Sequence, residues 1–81
     1  MEEQEFNLED VCYKPKSAED LNDIIKNTPH EMIPPYRAMM SGKYVYFYKG
    51  IMEGCTIKAG SIEVDRKVFI DCIKNYNKLK L

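Results

Sequence analysis

The sequence predicts an α+β domain: a small three-stranded antiparallel sheet packed against a C-terminal amphipathic helix, with a further N-terminal helix. Three observations predict it. Val68, Phe69, Cys72, Ile73 and Tyr76 recur at helical spacing after Asp65. Lys43 to Lys49 reads KYVYFYK, with five consecutive aromatic or β-branched residues suited to a strand. Short glycine-containing connections follow that segment and favour antiparallel neighbours.

Taken in order, residues 1–5 form a flexible acidic terminus, and residues 6–81 form one domain. Phe6 to Tyr13 is a short strand or an extended arm, ended by Pro15. Ser17 can cap a helix over Ala18 to Asn27, with Asp20 three residues on, a capping-box variant. Leu21, Ile24 and Ile25 give that helix its apolar face. Thr28-Pro29 stops it, because proline moves its predecessor out of the α region. A short helix over Tyr36 to Met40 can follow Pro35, and Ser41-Gly42 closes it. In the KYVYFYK strand, Val45 and Phe47 suit the core, while Tyr44, Tyr46 and Tyr48 share the other face. Gly50 to Gly54 reads as a loop, with further strands at Cys55 to Lys58 and Ser61 to Val64. Asp65 then caps a helix running from Arg66 to about Lys80.

A chain of 81 residues buries only about 60% of its unfolded surface. Its core alone supplies about 3–5 kcal/mol, so a staple or a partner would help. A disulfide framework is not expected, because Cys12, Cys55 and Cys72 are odd in number and lack a C-x-x-C spacing. Free thiols point to a reducing, cytoplasmic compartment, the host cytoplasm if the source is viral. Oligomerisation is an equal alternative to good packing. The start MEEQEFNLED cannot serve as a signal peptide, and no apolar run is long enough to span a membrane.

The net charge of −1 hides a gradient. Residues 1–23 carry eight acids against Lys14 and Lys16, net −6, which leaves net +5 for residues 24–81. Such a gradient can steer a charged partner or join two copies; it can also reflect only solvated faces and helix-dipole matching.

The common catalytic kits are missing. His30, the single histidine, lies between Pro29 and Glu31 without the further ligands a zinc site needs. Positions 33 and 34 are Ile and Pro, so His30-Glu31 does not begin an H-E-x-x-H helix. Cys72 belongs to the packing stripe, and no local signature makes Cys12 or Cys55 a nucleophile. Calcium and phosphate loops are absent, and Glu9-Asp10 and Glu19-Asp20 are expected on exposed acidic stretches. No enzyme, cofactor or metal is therefore expected.

Binding surfaces remain. The first is the tyrosine row Tyr44, Tyr46 and Tyr48, edged by Arg37 and Lys43, since tyrosine joins an apolar ring to a polar tip and is enriched at interfaces. A second, electrostatic surface comprises Glu9 and Asp10 at the acidic start and Lys74 and Lys78 on the last helix. The expected function is a non-enzymatic protein-binding module, an inhibitor or adaptor that sterically blocks a larger protein. Small size and richness in lysine and isoleucine suggest a phage-encoded anti-defence protein of the anti-CRISPR kind. The alternative is nucleic-acid binding through the tyrosine strand and the basic C-terminal helix. A pI of about 5.8 weighs against it.

Overall fold

The architecture was obtained as a computed structural model that describes residues 6–35, 42–58 and 60–80, with side chains through residue 76. It is a small α+β fold. A four-stranded mixed sheet is covered on one face by two helices. The strands are β1 (Val11–Tyr13), β2 (Tyr44–Tyr48), β3 (Ile51–Cys55) and β4 (Ile62–Glu63). The helices are α1 (Ala18–Lys26) and α2 (Arg66–Lys80), and single 3-10 turns lie at Leu8–Asp10 and His30–Met32.

The sheet order is β3-β2-β1-β4, with β2 antiparallel to both its neighbours and β4 parallel to β1. This corrects the expected three-stranded antiparallel meander. The N-terminal segment supplies an interior strand, β1, all three of whose residues are buried. The loop expected over Gly50 to Gly54 is only two residues long. Lys49 and Gly50 both have positive φ, 53° and 81°. That is the backbone of a type I′ hairpin turn, whose twist matches the flanking strands. Consequently β3 begins at Ile51 and ends where the next strand was expected to begin. The helix expected over Tyr36 to Met40 lies outside the described residues, as does the 1–5 terminus.

The helices start as their sequences predict. Ser17 Oγ accepts from the Asp20 amide at 3.1 Å, and Asp65 Oδ1 accepts from the Val68 amide at 2.9 Å. At the C-terminal end of α1, Thr28 Oγ1 donates to the Ile24 carbonyl at 2.7 Å. Leu21 and Ile24 from α1 and Phe69, Cys72 and Ile73 from α2 join Val11, Tyr13, Val45, Phe47 and Met52 in one core. Phe69 packs between Tyr13 and Phe47, with both ring-centroid separations 5.9 Å, and so pins α2 to the sheet.

Asp20 departs from its expected exposure. It is only 9% exposed. Its Oδ2 accepts the Tyr13 hydroxyl and, at 2.9 Å, the Lys16 amide. Arg66 reaches across from α2 to Asp20 Oδ1 at 3.5 Å and to Asp23 Oδ2 at 3.2 Å. A buried carboxylate is tolerated because Oδ2 accepts two hydrogen bonds and the Arg66 charge lies beside Oδ1, which accepts no hydrogen bond among the described residues. The acidic beginning and the basic end thus meet within a single chain.

Candidate functional site: the tyrosine face

The pleat of β2 decides where its side chains go. Val45 and Phe47 are buried beneath the helices, so Tyr44, Tyr46 and Tyr48 project from the opposite face. Cys12, the β1 partner of Tyr46 on that face, is fully buried, so exposure grows along the row toward the hairpin turn. Tyr44 and Tyr46 are half-buried, and Tyr48 is 59% exposed.

Register supplies the neighbours. Tyr48 stands opposite Ile51, Tyr46 opposite Glu53, and Tyr44 opposite Cys55. On the other side Tyr46 pairs with Cys12, which in turn pairs with Glu63 on β4. One row therefore crosses all four strands as Glu53, Tyr46, Cys12 and Glu63. Lys58 bridges to Glu63 at 3.1 Å, which raises the Lys58 ammonium pKa above its ordinary value. Burial pushes the Cys12 thiol up, and Glu63 adds to that, against an opposing pull from Lys58.

Two lysines lie over tyrosine rings. Lys14 Nζ is 5.4 Å from the Tyr44 centroid, and Lys49 Nζ is 5.4 Å from that of Tyr48. Both distances suit a cation–π contact. Lys14, Lys49, Lys58, Glu53 and Glu63 share this side of the sheet, so the surface is aromatic with mixed charge.

The remaining expected site residues disperse. Lys43 precedes β2, half-buried, with the parity of Val45 rather than of the tyrosines. Arg37 and the side chain of Lys78 lie outside the described residues. Glu9 and Asp10 are exposed on the first 3-10 turn. Lys74 lines an open groove of about 430 Å3 with Asp23, Arg66, Lys67 and Asp71 over Ile70. That groove is on the helical side of the sheet. The tyrosines and the described basic residues Arg66, Lys67 and Lys74 of α2 therefore do not form one continuous surface. Lys14, Glu53 and the Lys58–Glu63 pair were not anticipated beside the tyrosines, because only strand register brings them there.

Among the described residues no three His, Cys, Asp or Glu side chains gather where they could hold a metal ion, and no helix is long and apolar enough to cross a membrane. Compared with known proteins, the chain matches no family model, no curated protein and no solved structure.

Proposed function

We propose that the protein is a non-enzymatic protein-binding module, an inhibitor or adaptor that acts by covering a site on a larger protein. The tyrosine face carries this proposal: Tyr44, Tyr46 and Tyr48 stand in a row on a strand backed by the core, with the outermost ring 59% exposed. Tyrosines on a rigid strand provide contact area at low entropic cost, which suits an interface centre. The mixed charge of that face disfavours nucleic acid, which is met by strongly positive surfaces. Three free cysteines suit a reducing cytoplasm. Size and composition favour a phage-encoded inhibitor of a host defence protein as the form this module takes.

A photo-crosslinking residue in place of Tyr48, compared with one in place of Glu19 on exposed α1, tests the proposal in cells of the source organism. The expected result is a discrete protein adduct from position 48 and none from position 19. Equal labelling from both, or none from position 48, would refute it. A mobility shift with DNA or RNA that weakens steeply with salt would instead support the nucleic-acid alternative.

A further inference from the structure

Each end of the tyrosine row carries a lysine held over a ring, Lys14 at Tyr44 and Lys49 at Tyr48. Both lysines are exposed. Among the described residues neither has a carboxylate within 4.0 Å, whereas Lys58 is matched by Glu63 and Arg66 by Asp20 and Asp23. On the helical side, Lys67 and Lys74 flank Asp71 at i, i+4 and i, i+3 spacing, which offsets their charge locally. Among the described residues, the two ring-backed ammonium groups are thus cations of the candidate face without a matching carboxylate. Their tyrosines are four residue steps apart along β2, a distance of about 13 Å.

A cation already resting on an aromatic ring has lost part of its conformational freedom before a partner arrives. It can accept a carboxylate while the tyrosine edge packs against apolar surface beside it. Lys49 is fixed further because it belongs to the tight turn, and Gly50 of that turn is buried against α2, where an added Cβ would come within 3.3 Å of Tyr76 Oη.

We infer that the face takes an acidic protein segment, laid along β2, whose carboxylates meet Lys14 at one end and Lys49 at the other. This rests on the protein-binding role proposed above and specifies the chemistry of its partner. Charge complementarity with two cations that no carboxylate matches among the described residues selects that chemistry. The pattern differs from a nucleic-acid track, which would set phosphates continuously along the row and near Glu53 and Glu63.

The test uses the purified chain, a short oligo-glutamate peptide and a short oligothymidylate, followed through backbone amide shifts by NMR. Oligo-glutamate is expected to perturb Lys14, Tyr44, Tyr48 and Lys49, and the K14Q/K49Q double variant to bind it roughly tenfold more weakly. The K67Q/K74Q double variant is expected to bind about as the parent does. Circular dichroism verifies that each variant is folded. Equal weakening from the α2 lysines, no perturbation of the tyrosine face, or tighter binding of oligothymidylate at that face would overturn the inference. A discrete crosslink from position 48 with oligo-glutamate silent would overturn this inference and leave the broader protein-binding proposal standing.

Discussion

The Tyr13 hydroxyl donates to the Asp20 carboxylate at the junction of β1, α1 and α2. Burial alone would raise the Asp20 carboxyl pKa; the Tyr13 hydroxyl, the Lys16 amide and the Arg66 guanidinium outweigh it and hold the pKa below the ordinary value. Burial and the same hydrogen bond push Tyr13 up to about 12. The two shifts act on stability at opposite ends of the pH scale. A carboxyl depressed in the folded state contributes stability above its unfolded pKa of about 3.9, and that contribution disappears as pH falls through the lower folded value. A phenol raised in the folded state contributes fully below its unfolded pKa of about 10 and loses that contribution as pH rises through the folded one. Tyr13→Phe removes the donor and keeps the ring against Phe69. It is expected to lower stability by about 1–3 kcal/mol at neutral pH. It should also remove the alkaline loss and make the acidic loss shallower, as read by urea unfolding across pH. Unchanged pH dependence would mean that Asp20 is held by Lys16 and Arg66 alone. Sequence spacing marks Asp20 as a capping residue, and its amide does bond Ser17. Its side chain instead turns inward because Tyr13, seven residues earlier, offers a donor that local pattern does not reveal.

At the scale of elements, the β2–β3 hairpin shows how little chain makes the tight connection. Lys49 occupies a left-handed conformation that costs a residue with a Cβ roughly 1–2 kcal/mol. Asparagine is favoured in that position of a type I′ turn. Lys49→Asn is expected to stabilise the domain by about 0.5–1 kcal/mol in urea unfolding while removing one of the ring-backed ammonium groups. A stabilised variant that still binds oligo-glutamate as well as the parent would deny Lys49 its proposed role. Gly50→Ala is expected to act in the other direction, by about 1–2 kcal/mol, because φ is 81° and the new Cβ would press on Tyr76 Oη. Helices and β2 were legible within a residue or so at their ends. Their signals are local: Ser17 and Asp65 as caps, the stripe from Val68 to Tyr76, and alternation through Tyr44–Tyr48. The placement of β3 was less legible. Two glycines four residues apart suggest a loop, but Gly54 instead pairs with Val45 inside the strand. Lysine before glycine also conceals a turn more often signalled by Asn-Gly or Asp-Gly.

Across the whole molecule, the sheet is organised by pairings far apart in sequence. Val11 pairs with Ile62 and Cys12 with both Tyr46 and Glu63, so a segment resembling an arm becomes an interior strand. Three residues have too little periodicity to announce that role; the contacts that bury them come from β2 in the middle of the chain and from β4 and α2 beyond it. The same long-range closure controls the cysteines. Cys12 lies between β2 and β4, and Cys72 Sγ approaches the Phe6 carbonyl at 3.6 Å from α2. Burial raises both thiols, aided by Glu63 at Cys12 and by Asp71 at Cys72, while Cys55 is half-buried at the outer strand. Thiolate is the reactive form, so buried thiols with raised pKa react slowly even before access is considered. A neutral thiol reagent such as a maleimide is therefore expected to label Cys55 first. A core worth about 3–5 kcal/mol slows labelling through global opening by roughly 100-fold to several thousand-fold relative to the unfolded chain. Mass spectrometry of a labelling time course should show one early adduct at Cys55, followed by Cys12 and Cys72 together at a rate that urea accelerates. Their common rate would identify β1 and α2 as parts of one cooperative unit. Early labelling of Cys12 alone would show instead that the tyrosine face opens locally, and would place its rigidity, the basis for treating it as a preformed binding surface, in the wrong part of the molecule.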